Sequence, residues 1–207
     1  MRLLAGLREV DRRLSQRLAA WTAPGVHRTL SAVEECAEST KLWCSAAVVM
    51  AWGGGWRGRR AAAAGLAALT VAQLVSNGLC KQLADRPRPP KEWIPHDEVE
   101  DRPDSSSFPS GHTAAAAAFT AAVWPTWPVA GMACAVPAAM VAIERVQSGA
   151  HYPSDVVAGA AIGLAAARLV RHSLRLALRR AMITHRQPQR HHAAKVSRRG
   201  LKQLRPR

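Results

Sequence analysis

Two stretches of this chain hold no charged side chain over a length that few soluble helices need. Residues 61–80 form an uncharged run of 20, and residues 113–143 form one of 31. As helix, the first spans roughly 30 Å, about the hydrocarbon thickness of a bilayer. The second is too long for one span, and it contains Trp124-Pro125-Thr126-Trp127-Pro128. Two prolines break a helix, and two Trp residues suit a membrane interface. That run therefore reads as two spans, 111–123 and 128–143, joined by a tight turn. Residues 42–56 and 156–167 are uncharged as well. The pattern predicts an all-α integral membrane bundle of about five transmembrane helices rather than a soluble helical bundle.

The N-terminus follows a different pattern. Leu3, Leu4, Leu7, Val10, Leu14 and Leu18 recur at spacings of three and four, with charged residues between them. This predicts an amphipathic helix lying on the membrane surface. The stretch is too short and too charged for a secretory signal peptide. Three regions follow: a surface segment over 1–36, a transmembrane domain over 37–172, and a basic, disordered tail over 173–207.

Charge separates these regions further. The chain carries 29 Lys and Arg against 14 Asp and Glu, a net +15. Residues 168–207 hold 13 basic and no acidic side chains, so the remainder is 16 against 14, or +2. A body this close to neutral is no nucleic-acid-binding domain; the tail instead suits anionic lipid. Arg57, Arg59 and Arg60 lie between the first two spans and mark that loop as cytoplasmic. The tail then falls on the cytoplasmic side of a plasma membrane. The segments 81–112 and 144–155, with the surface helix, fall on the extracytoplasmic face. Cys36, Cys44, Cys80 and Cys134 show no metal-ligand spacing.

The two external segments carry the chemistry. Ionisable groups at a membrane edge are costly and are functional candidates by default. Lys81, Arg88 and Arg145 are three cations suited to holding a phosphate. Ser110-Gly111 at a helix start offers backbone N–H groups and a hydroxyl to an anion, with His112 in the first turn. Asp155 stands four residues after His151, with Pro153 starting a helix between them. From that first turn the carboxylate can reach back and orient the imidazole. Two histidines and a carboxylate around a phosphate site point to phosphoryl transfer. One histidine attacks phosphorus and the other protonates the leaving oxygen.

Three signatures in order carry a family resemblance: Lys81-x6-Arg88-Pro89, Pro109-Ser110-Gly111-His112 and Arg145-x5-His151-x3-Asp155. They resemble those of the type 2 phosphatidic acid phosphatases, whose superfamily includes soluble acid phosphatases and vanadium haloperoxidases. The resemblance implies a membrane lipid-phosphate phosphatase working without metal or cofactor. His151 would be the nucleophile forming a phosphohistidine, Asp155 its orienting carboxylate, and His112 the proton donor. Lys81, Arg88, Arg145, Ser110 and Gly111 would hold the equatorial oxygens. The small size resembles the bacterial polyprenyl-diphosphate phosphatases, so a polyprenyl diphosphate leads as substrate. A glycerolipid phosphate and a polyprenyl-phosphoryl sugar phosphate follow. A vanadate-dependent haloperoxidase and a catalytically silent lipid-binding scaffold are the readings from other classes. Arg86 is five residues from Lys81, outside the motif register, and reads as a loop charge. Glu144 departs from the small residue usual before the arginine of the third signature, and could pair with Arg145. The acidic loop 97–104 and His96 read as solvated.

Overall fold

Alanine runs and spaced glycines let helix backbones approach closely, and these helices use them for that. The computed structural model describes residues 2–20, 24–38, 40–94 and 105–203, and within them no strand occurs. The N-terminal helices are α1 (Arg2–Ala19) and α2 (Pro24–Glu38). The bundle consists of α3 (Lys41–Gly53), α4 (Gly55–Gln73), α5 (Lys81–Leu83), α6 (Gly111–Val123), α7 (Pro128–Gln147) and, up to Val170, α8 (Pro153–Gln203). A π-helical stretch, Leu74–Cys80, joins α4 to α5. The chain divides into a body ending at Val170 and a basic segment from Arg171. That segment, expected as a disordered tail, is helical to Gln203; its Ala, Leu and Arg favour helix. The acidic loop 97–104 and His96 lie outside the described residues.

Three helices have the length and apolarity to cross a membrane: Gly55–Leu83, Pro128–Gln147 and Pro153–Ala177. The other two expected spans, α3 and α6, are 13 residues each, roughly 20 Å long. α6 is the central helix. Its Ala114, Ala115, Ala116, Ala118, Phe119, Ala122 and Val123 are all buried, so it needs little lipid contact. α4 packs on α3 and α6, and α6 packs on α7. Gly159 and Gly163 bring α8 against α6. A Cβ at Gly159 would collide with the Ser110 carbonyl, and one at Gly163 with that of Ala114. Val48, Val49, Leu74, Val129, Val136, Val157 and Leu169 face outward, as lipid-facing side chains should.

Two expected boundaries shift. Arg57, Arg59 and Arg60 lie inside α4 instead of in a loop before it, because only Gly54 separates α3 from α4. α7 runs one turn beyond residue 143, so Glu144 and Arg145 are helical. The α3–α4 and α6–α7 turns meet at one end of the body, where the Trp127 ring packs on Gly54. Trp52, Trp56 and Trp124 are exposed there. The phosphate-site signatures gather at the opposite end.

α1 is amphipathic as expected, and its apolar face is unburied: Leu7 and Val10 are each 51 % exposed. What it buries is a neighbouring stripe, Asp11, Ser15 and Ala19. α1 and α2 both pack on α7.

Candidate active site

Four chain segments converge on His151. It follows a turn at the end of α7, where its backbone N–H donates to the Arg145 carbonyl (2.9 Å). The segment before α6 crosses beside it, and the Phe108–Pro109 peptide there is cis. The His151 Nδ1 lies 2.6 Å from the Ser107 carbonyl oxygen. A carbonyl only accepts, so Nδ1 carries the proton and Nε2 presents its lone pair. The sequence pattern assigns this orienting role to Asp155. Asp155 lies 3.9 Å from Nδ1, too far for a hydrogen bond. The ring is oriented by Ser107, and Asp155 lies beside it without a hydrogen bond.

Asp155 is fully buried in the first turn of α8. Its Oδ2 accepts from the Tyr152 N–H (2.9 Å), and its Oδ1 accepts from the Arg86 guanidinium. Its own carbonyl accepts from the Ser110 N–H (3.1 Å), tying the start of α8 to the start of α6. Ser110 is the N-cap of α6, and its hydroxyl accepts from the Thr113 N–H. The sequence pattern offers Ser110 to the phosphate. Here its hydroxyl and N–H are both engaged within the protein and it is fully buried, so it builds the helix start. Gly111 opens α6, packed so closely on Asn77 that a Cβ would collide with the side-chain amide. His112 is half-buried in the same turn.

The three cations assemble around this pair of elements. Lys81 follows the π-helical stretch directly. Wide turns of this kind often mark functional sites. Arg88 donates to the Ala150 carbonyl (2.7 Å) and to the Ser105 carbonyl (3.2 Å), bracing the turn before His151. Arg145 donates from Nε to Glu144 at 2.6 Å. The pairing raised by the sequence therefore forms, since a carboxylate as buried as Glu144 (4 % exposed) needs a counter-charge. Arg86, read from the sequence as a loop charge, bridges Asp155 and Asp11. Among the described residues, no cluster of three or more His, Cys, Asp or Glu is arranged to hold a metal.

Burial and the surrounding cations together set the state of His151. Desolvation, then the charges of Arg88, Arg145 and Lys81, push its pKa well below the usual imidazole value. The Ser107 carbonyl opposes them and is outweighed. These effects favour the neutral ring, with the Nε2 lone pair free of a proton, at pH 6.5, where a free imidazole is half protonated. We expect 15N NMR of histidine-labelled protein in detergent to find the Nδ1–H tautomer at pH 6.5. A half-protonated ring at that pH contradicts this electrostatic account.

Known proteins align with these features. The PAP2 superfamily profile matches residues 61–179, more than half the chain and all three signatures. The chain belongs to the PAP2 superfamily. Over 60 residues it is 52 % identical to a protein named lipid A 1-phosphatase from Rhizobium etli. The like-named Rhizobium johnstonii protein matches to the same degree. Those matches cover 28 % of this chain and 25 % and 23 % of the relatives, so the chain spans about a quarter of their length. A transmembrane PAP2-type phosphatidylglycerolphosphate phosphatase from Bacillus subtilis has the same fold. The TM-score is 0.64 at 22 % identity, covering 81 % of this chain and 85 % of that one. Aquifex aeolicus LpxE superposes with a TM-score of 0.59 at 19 % identity, covering 77 % and 93 %.

Proposed function

We propose that this PAP2 protein is a membrane lipid-phosphate phosphatase working through a phosphohistidine. The observation that carries the reading is the His151 ring: buried, held as the Nδ1–H tautomer by Ser107, and in the field of Lys81, Arg88 and Arg145. A neutral nucleophilic nitrogen among cations, beside the start of a helix, suits a tetrahedral dianion.

Lys81, Arg88 and Arg145 hold the equatorial oxygens, with the N–H groups of Gly111 and His112 at the start of α6. Nε2 of His151 attacks phosphorus, the N–P bond forms, and the P–O bond to the lipid breaks. His112 gives its proton to the leaving oxygen. The ring is then a phosphorylated cation that keeps its Nδ1 proton, and Asp155 stabilises that charge. Water, deprotonated by His112, attacks phosphorus, the N–P bond breaks and inorganic phosphate leaves. Most of the acceleration comes from positioning and from cations matched to the transition-state charge. The residues present supply these functions without a metal.

Two substrate readings have support. The resemblance to the bacterial polyprenyl-diphosphate phosphatases, with the amphipathic α1, favours a polyprenyl diphosphate. The 52 % identical stretch favours the 1-phosphate of lipid A. In both, the lipid stays in the bilayer while phosphate enters water. The charge pattern of Arg57, Arg59 and Arg60 supports an extracytoplasmic site in a multi-pass plasma-membrane protein with a cytoplasmic tail. In this reading the shorter α3 and α6 complete five spans, and the 13 basic and no acidic side chains of 168–207 favour anionic lipid as the partner of the tail. The test is phosphate release in detergent from a panel of polyprenyl diphosphate, phosphatidate, phosphatidylglycerolphosphate and lipid A, with and without chelator. We expect chelator-resistant release from at least one, with the preferred lipid identified by kcat/KM. No release from any lipid, alongside vanadate-dependent halide oxidation, would overturn the phosphatase reading.

A further inference from the structure

The buried face of α1 reaches the active site through one carboxylate. Asp11 is 2 % exposed. Its Oδ1 accepts from the Ser154 N–H (2.9 Å), and its Oδ2 accepts from the Ser154 hydroxyl (2.6 Å) and from Arg86 Nη2 (2.7 Å). Arg86 Nη1 donates to the Ser154 hydroxyl (2.7 Å) and to Asp155 Oδ1. The Arg86 guanidinium also lies over the Tyr152 ring, 4.3 Å from its centroid. A single planar fork thus joins the surface helix, the His151–Asp155 loop and the catalytic carboxylate. A guanidinium suits this place because it donates in several fixed directions at once.

The charges give the bridge a second consequence. Arg86 alone would neutralise Asp155 and remove the negative charge that a phosphorylated His151 needs. With Asp11 on its other edge, the three groups sum to −1. Burial opposes the charge on Arg86, but Asp11 and Asp155 outweigh it and hold the guanidinium more firmly protonated than usual. Asp11 therefore leaves Asp155 able to act as an anion toward the ring 3.9 Å away.

We propose that Asp11 and Arg86 are positioning residues for catalysis: α1 completes the active site by holding Asp155 in place and leaving its charge uncancelled. The inference rests on His151 and Asp155 having the roles proposed above. It gives α1 two faces with two tasks. Leu7, Val10 and Leu14 are exposed and suit a membrane surface, while Asp11 reaches the site.

A double-mutant cycle on the full chain in detergent micelles with the best lipid of the panel tests this. In Asp11→Asn we expect kcat to fall about tenfold with KM within about twofold, because the phosphate-holding cations are untouched. Added to Asp155→Asn, the same change should cost less than about twofold, since a residue acting through Asp155 has nothing further to lose. Arg86→Lys keeps the charge but cannot span both carboxylates. It should lower kcat like Asp11→Asn, and it carries the test if Asp11→Asn does not fold. An Asp11→Asn enzyme with unchanged kcat overturns the proposal. So does a loss that multiplies with that of Asp155→Asn, the signature of a merely structural role. Undiminished phosphate release by His151→Ala would instead overturn the underlying mechanism, so the two failures are distinguishable.

Discussion

His151→Ala should abolish phosphate release from every lipid in the panel, with turnover falling at least about 10⁴-fold. The size of the loss follows from what the residue supplies. Without Nε2 there is no covalent intermediate, and water must attack directly among cations arranged for a different nucleophile. The cations themselves remain, so binding of inorganic phosphate, read by titration calorimetry, should stay within a fewfold of the parent. Loss of activity with retained binding separates a missing nucleophile from a collapsed site. The truncation also removes a buried ring and its bond to Ser107, so a drop in melting temperature is expected. Retained phosphate binding is then the evidence that the folded site survived.

Asp155→Asn carries the second largest expected effect, a fall in kcat of about a thousandfold, within the range for losing a charged catalytic partner. The amide can still accept from the Tyr152 N–H, and Arg86 keeps Asp11, so the start of α8 should stay in place. The negative charge beside Nδ1 is what disappears. The loss should appear at phosphorylation of His151, when the ring becomes cationic, with KM nearly unchanged. A loss of only a fewfold would mean that Asp155 serves merely as a charge at a helix N-terminus.

Much of this arrangement was legible in the residues, for a physical reason in each case. The break at Trp124–Pro128 located the α6–α7 turn because proline cannot continue a helix. Gly111–Val123 matches the expected limits, since Ser110 caps it and the prolines end it. Pro153 marked the start of α8. The spacing of His151 and Asp155 brought them onto adjoining turns, although it did not reveal that the carbonyl of Ser107, 44 residues earlier, accepts the hydrogen bond from Nδ1–H. No local pattern reports a backbone carbonyl delivered by a distant loop. The bridge through Arg86 was hidden for a similar reason, because its partners are 69 and 75 residues away. One signal did exist. Asp11 follows Leu7 by four and precedes Leu14 by three, which puts a carboxylate beside the apolar stripe of α1. A carboxylate there needs a buried partner. The lengths of α3 and α6 were less legible, because an uncharged run does not distinguish a spanning helix from a short one packed among others.

Whether His151 carries phosphate during turnover is decided by trapping the intermediate. The enzyme is mixed with a lipid phosphate labelled with 32P, quenched in alkali within a turnover, and digested for mass spectrometry. An alkali-stable, acid-labile phosphate is expected on the peptide carrying His151, and none on that of His151→Ala. Phosphate release without labelled histidine, or label on His112 instead, would contradict a phosphohistidine at His151.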